Sequence, residues 1–181
     1  MHMRFRTLRR CGLALVLAAT GLQAVPQQAT GRYTVEIVVF RADANTSGED
    51  GAAATPLRST AGEIMPTAVP GQRLTAAAAK LRGAGYRILA HTAWSQAPAA
   101  WNSRRGVSVE QLGIATPGLS GNVVLERGQY LHLGIDLKVE DGGRNYVLAD
   151  LQQVRKLGEA QYFDHPQLGV IALVTSGGAA P

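Results

Sequence analysis

At 181 residues, with 18 Lys and Arg against 13 Asp and Glu, the chain has a formal net charge of +5, but four of the basic side chains, Arg4, Arg6, Arg9 and Arg10, crowd its first ten residues. The other 14 nearly balance the 13 acids, so the charge gives no ground for a nucleic-acid or acidic-membrane surface, which needs clustered Lys and Arg. The single cysteine, Cys11, excludes an internal disulfide framework, and stability has to come from packing.

The four arginines precede an apolar run from Cys11 to Ala19 with no acid in the stretch, the pattern of a cleavable export signal. The run is about ten residues, against the ~20 needed to span a bilayer as a helix, so no membrane span is expected after cleavage. The cut is expected after Ala24, with Ala29 as a later alternative, and Cys11 lies at the wrong end of the run for lipidation. Removal of residues 1–24 takes away the only cysteine and leaves 157 residues, the size of one domain, in an oxidising compartment outside the cytoplasm.

Tyr33 to Phe40, YTVEIVVF, reads as a strand largely covered on both faces. Residues 41–72 have no sustained period and read as a long connection, with a short strand near Ile64-Met65. Arg73 to Arg82 has high helix propensity, with Leu74, Ala77, Ala78 and Leu81 on one face and Gly83 and Gly85 ending it. Tyr86 to Trp94 reads as a strand, residues 95–105 as a second long loop, and Val107–Val109 and Asn122–Glu126 as short strands. From Tyr130 to Val139 the alternation is regular: Leu131, Leu133, Ile135, Leu137 and Val139 face one way, and Tyr130, His132, Gly134, Asp136 and Lys138 the other. That is the period of a sheet covered on one side. Asp141-Gly142-Gly143 turns into a partner strand over Asn145 to Lys156. A last edge, Tyr162 to Pro166, and an apolar run, Val170 to Val174, precede a tail over 175–181 expected to be disordered. The fold class is α+β, a mainly antiparallel sheet with one principal helix in a single domain spanning 25–174.

Chemistry is sought first on the polar face of the 130–139 strand. His132 and Asp136 are four apart, but at ~3.3 Å per residue this is about 13 Å, too far to share one ion, so no metal and no cofactor is expected. There is no Gly-x-Ser-x-Gly elbow, and His91, His132 and His165 are the only histidines beyond the signal, so nucleophilic catalysis is unmotivated. Gly83-Ala-Gly85 follows a helix where a phosphate loop would open one, so nucleotide binding is rejected. Trp94 and Trp101, with Tyr130 and Tyr162, offer flat rings on which a sugar can stack, although aromatics near strand ends are more often core edges. Tyr130 and His132 stand out because the alternation sends them away from the core. Tyr162-Phe-Asp-His-Pro166 also has a purely structural reading, in which Asp164 caps a turn, Pro166 bends it and His165 bonds the hairpin.

Together, YTVEIVVF, YRILAHTAW, GNVVLERGQYLHLGIDLKV and QYFDHPQLGVIALV resemble the CsiV family of periplasmic peptidoglycan-binding proteins across most of residues 33–174. The most specific parts are Gly128-Gln-Tyr130-Leu-His132-Leu-Gly-Ile-Asp136-Leu and Tyr162-Phe-Asp164-His165-Pro166. The resemblance implies a non-enzymatic protein of Gram-negative bacteria that binds peptidoglycan in the periplasm. It also implies support of a bifunctional penicillin-binding protein through its outer-membrane lipoprotein activator, and thereby of cell-wall synthesis and cell shape. Residues 41–72 depart from the longer members in lacking a Trp and Pro-rich pattern after the first strand. No binding residues come with the resemblance. The candidate ligand contacts, Tyr130, His132, Asp136, Tyr162, Asp164, His165 and Trp94, rest on exposure within the matched motifs. Two other functions stay open: an interaction adaptor without glycan affinity, accepting a partner strand at a sheet edge, and, with less support, a wall hydrolase using Asp136 or Asp164 with His132.

Overall fold

The computed structural model describes residues 31–42, 55, 57–62 and 64–177, and the export signal expected over 1–24 lies outside them. Along these residues the order is β1 (Tyr33–Ala42), β2 (Thr60–Ala61), β3 (Thr67–Ala68), α1 (Thr75–Gly83), β4 (Tyr86–Gln96), β5 (Ala99–Ala100), β6 (Arg105–Ser108), β7 (Leu119–Arg127), β8 (Leu131–Asp141), β9 (Arg144–Gln153), β10 (Ala160–His165) and β11 (Leu168–Ser176). The strands form two sheets. The first runs β10-β11-β1-β4-β3, antiparallel throughout; the second runs β2-β6-β7-β8-β9 with β5 beside β7, and only its β2-β6 and β5-β7 pairings are parallel.

The α+β reading with one helix and mainly antiparallel pairing therefore holds, but what looked like one sheet is two, packed face to face. β1 shows why its sequence is apolar on both sides. Val35, Ile37 and Val39 point inward and join Val123, Leu125, Leu133, Ile135, Phe163 and Val170 in the core between the sheets. Val38 and Phe40 point outward, under Leu74 and Ala78 of α1. The inner face of β8, from Leu131 to Val139, is the alternation seen in the sequence, and all five side chains are buried. Each such burial contributes about 1.5–3 kcal/mol.

Helix α1 has no capping side chain of its own. The two residues leading into it are held instead by Glu36 of β1, which is 3% exposed, accepts from the backbone N–H of Arg73 (3.1 Å) and of the N-cap residue Leu74 (2.9 Å), and pairs with His91 Nε2 (2.8 Å). A carboxylate at this end satisfies orphan donors and the positive pole of the helix dipole together.

Several boundaries differ from expectation. Ile64-Met65 is not a strand; short strands lie on either side of it, at Thr60–Ala61 and Thr67–Ala68. The 95–105 segment is not free loop, since β4 continues to Gln96 and Ala99–Ala100 pairs with Glu126–Arg127 of β7. Thr175 and Ser176, expected in the tail, complete β11 opposite Thr34 and Tyr33. The outer face of β8 is also partly covered. Leu57 and Leu151 lie against Gly134, and Ser59 donates from both its N–H and its hydroxyl to Asp136, so the 57–61 segment is laid across the second sheet.

Candidate functional site

The outer face of the second sheet carries Glu126 on β7 directly opposite His132 on β8. Over these two residues folds the 101–104 loop. Trp101 lies on the His132 ring with centroids 4.3 Å apart, and Arg104 sits 5.8 Å from the indole centroid, within cation–π range. Nearly half of Trp101 (47%) remains open to solvent, and Tyr130, on the turn that leads into β8, is 52% exposed. The Tyr130 carbonyl faces His132 Nδ1 at 3.3 Å.

What holds the ring out is Glu126, which is fully buried at 0% exposure. Its carboxylate accepts from the backbone N–H groups of Asn102 (3.2 Å) and Arg104, from the Ser103 hydroxyl (3.5 Å) and from Arg104 Nη1 (3.1 Å). Asn102 and Arg104 both have positive φ, 62° and 56°, a conformation that costs a non-glycine residue about 1–3 kcal/mol and persists only where its surroundings over-determine it. The buried carboxylate does so here. The backbone N–H of Trp101 also bonds the Arg127 carbonyl, and Gly128 leaves room for the ring, since a Cβ there would meet Trp101 Cβ and Cγ at 3.1 Å. Part of the Gly128-to-Asp136 motif is thus the seat of a tryptophan from another loop. Beside that loop is an open cleft of about 410 Å³ lined by Ile64, Ala99, Ala100, Ser103 and Arg105.

The candidate contacts divide among separate places. Tyr130 and His132 belong to the Trp101 platform. Asp136 is on the same face, held by Ser59. Tyr162 and Asp164 are on the outer face of the first sheet, joined by a hydrogen bond from the Tyr162 hydroxyl to Asp164 Oδ1 at 3.0 Å. His165 is on the opposite side of β10 from that pair, its Nδ1 accepting from Gln167 N–H and its ring 6.3 Å from that of Tyr146. Trp94 requires correction: at 1% exposure it is a core residue, with its indole N–H satisfied by Gln96 Oε1 at 2.6 Å, so a ligand cannot reach it. Its counterpart Trp101, left out of the candidate contacts, is the exposed one. Among the described residues no group of three or more His, Cys, Asp or Glu side chains is placed to hold a metal ion, and no helix is long and apolar enough to cross a membrane.

Comparison with known families decides the class. Residues 51–176 match the family described as "Peptidoglycan-binding protein, CsiV". The chain belongs to the CsiV family of peptidoglycan-binding proteins. The match includes both specific motifs and every strand from β2 to β11, but it starts after β1, although YTVEIVVF is part of the resemblance and β1 is the middle strand of the first sheet. No curated protein and no solved structure matches the chain. Membership in CsiV makes this a binding protein of the cell wall, and Trp101, Tyr130, His132, Arg104 and Glu126 all fall inside the matched residues.

Proposed function

We propose that the chain is an exported periplasmic protein, non-enzymatic, that binds peptidoglycan through the Trp101 platform and so assists cell-wall synthesis and cell shape, by supporting a penicillin-binding protein or its lipoprotein activator. The observation that carries the reading is an exposed tryptophan held in a fixed position by a buried carboxylate. A rigid indole offers its apolar surface to the C–H face of a sugar ring with little ordering left to do on binding, which is the general route to affinity at a small site. Tyr130 extends the surface beside the ring.

The test is co-sedimentation of the purified protein with isolated sacculi. Wild type is expected in the pellet. Trp101→Ala should reduce the bound fraction about tenfold or more, the scale of a buried aromatic anchor, with smaller losses for Tyr130→Ala and His132→Ala, each variant first shown to melt cooperatively. A Trp101→Ala protein that pellets like wild type ends the assignment to this platform, and a wild-type protein left in the supernatant favours the adaptor reading.

A further inference from the structure

The outer face of the first sheet, on the far side of the core from Trp101, carries a second aromatic surface. Helix α1 covers the part of this face around Val38 and Leu173, and beside it three rings remain together. Phe40, buried, is the floor. Tyr86 stands edge-on to it at 5.3 Å and 87°, and Tyr162 lies nearly parallel to it at 6.2 Å and 21°. Both tyrosines are exposed, Tyr162 to 52%. The floor depends on Gly169, which pairs with Phe40 across β1 and β11; a Cβ there would meet the ring at 2.8–3.0 Å from its Cε2 and Cε1.

The polar group at this surface is a carboxylate. Asp164 lies two residues from Tyr162 on the same side of β10, and Tyr162 Oη donates to its Oδ1. The bond fixes both the ring and the carboxylate. Burial and Asp164 push the Tyr162 phenol up to about 12, so it stays a neutral donor at any cellular pH. A flat ring next to an oriented carboxylate matches an uncharged pyranose, whose C–H face covers the ring while neighbouring hydroxyls or an acetamido N–H donate to the carboxylate. The same carboxylate repels lactyl and stem-peptide carboxylates. This surface therefore favours the uncharged sugars of a wall polymer.

We propose that Phe40, Tyr86, Tyr162 and Asp164 form a second glycan-binding platform, selective for uncharged N-acetylated sugar rings, and that the protein bridges two glycan strands. The bridging follows from architecture. Both sheets and the core between them separate the platforms, and the platforms point in opposite directions, so one copy engages two strands in place of two rings of one strand. The bridge, though not the second platform, rests on the Trp101 reading.

Two measurements test this. In a Trp101→Ala background, titration with an N-acetylglucosamine tetrasaccharide, followed by calorimetry and tyrosine-region NMR shifts, should still show binding. Adding Asp164→Asn, an exposed change that leaves the core intact, should weaken it about tenfold, as for loss of a charged hydrogen-bond acceptor, and adding Tyr162→Ala should abolish it. No saccharide binding by the Trp101→Ala protein overturns the second platform, as does binding indifferent to Asp164→Asn. For the bridge, wild type should clump sheared sacculus fragments, measured as turbidity, whereas Asp164→Asn should still pellet with sacculi but not clump them, and Trp101→Ala, already reduced in pelleting, should not clump them either. Clumping by Asp164→Asn equal to wild type overturns the bridge. If Asp164→Asn leaves saccharide binding and clumping intact but abolishes capture of a wall-synthesis protein, the face is a protein-docking surface and the proposal fails. If Trp101→Ala leaves sacculus binding unchanged while Asp164→Asn removes saccharide binding, the Trp101 reading fails and the second platform stands.

Discussion

Two glutamates, Glu36 and Glu126, each interrupt an apolar strand, each is almost completely buried, and each reaches out of its sheet to collect backbone amides from chain crossing the outer face. Their products differ. Glu36 fixes the start of α1, a scaffold element whose apolar side then seals the first sheet. Glu126 fixes a loop whose two left-handed residues contribute nothing to the core and whose tryptophan faces solvent. The same device, a strand carboxylate serving as a ready-made acceptor, stabilises in one place and presents a ligand-binding ring in the other.

Removing the two carboxylates one at a time separates their roles. Glu126→Ala strands the Asn102 and Arg104 amides and leaves the Arg104 guanidinium without its partner, at a cost below the ~1–3 kcal/mol of a fully buried donor because water reaches these part-buried groups. With the left-handed turn no longer held, Trp101 loses its fixed position, and sacculus binding should fall by about tenfold or more. Glu36→Ala should cost a comparable amount of stability, about 2–3 kcal/mol from the lost cap and the stranded Arg73 and Leu74 amides, yet the folded fraction should bind sacculi like wild type. Denaturant melts and co-sedimentation at equal folded concentration separate the two outcomes. Equal losses of binding from both variants would show that the Trp101 loop has no special role.

The seat of Trp101 can also be altered without touching any charge. Gly128→Ala puts a methyl group 3.1 Å from Trp101 Cβ and Cγ, tighter than ordinary contact, so the indole must shift. Overpacking of this kind costs about 1–3 kcal/mol in a rigid core, and less at this half-open edge. The expected result is a modest change in melting temperature with a several-fold weaker sacculus interaction, and unchanged binding would show that the ring's position is not what the wall recognises.

The parts of this molecule legible in the sequence are those governed by one period. Leu131 to Val139 alternate without a break, so their inner face could be read directly, and the Leu74, Ala78, Leu81 stripe gave the helix. The two tryptophans could not be told apart this way. In β4 the pairing register shifts between Val39 and Phe40, where Ala90 and Ile88 oppose consecutive residues of β1, and an extra residue changes the phase that would have shown Trp94 facing inward. Trp101 lies in a loop whose shape depends on Glu126, twenty-five residues further along the chain, so no local pattern marks it. A signal did exist: Glu36 in YTVEIVVF and Glu126 in NVVLER are single acids in strands otherwise fit for the interior, and a buried acid has to be paired. The second sheet's cover was hidden for another reason. The 57–61 segment has no period of its own and is positioned by contacts with Asp136, Asn122 and the Arg104 carbonyl.

Away from both glutamates, a third set of charged groups affects stability alone and by less. At one end of the sandwich, buried Arg41 pairs with Asp141 and lies over Tyr146, which in turn meets His165. Hydrogen bonding and attraction from Arg41 lower the Asp141 pKa below its ordinary 3.8, and burial lowers His165 below its ordinary 6.5, outweighing the nearby Asp164. Both shifts have the same sign for stability. As pH falls below 6.5, the unfolded chain takes up a proton at His165 before the folded one does, so stability declines until the folded pKa is passed. The Asp141 contribution is present above 3.8 and is lost as pH falls through its lower folded value. Acid should therefore weaken the fold in two windows, and each should vanish separately: His165→Gln should flatten the first and keep the second, Asp141→Asn the reverse. Melting temperatures followed across both windows test this, and a His165→Gln protein with the wild-type slope just below pH 6.5 would exclude His165 as its source. Neither substitution touches the Trp101 loop, so at neutral pH both proteins should bind sacculi as wild type does, in contrast to Glu126→Ala.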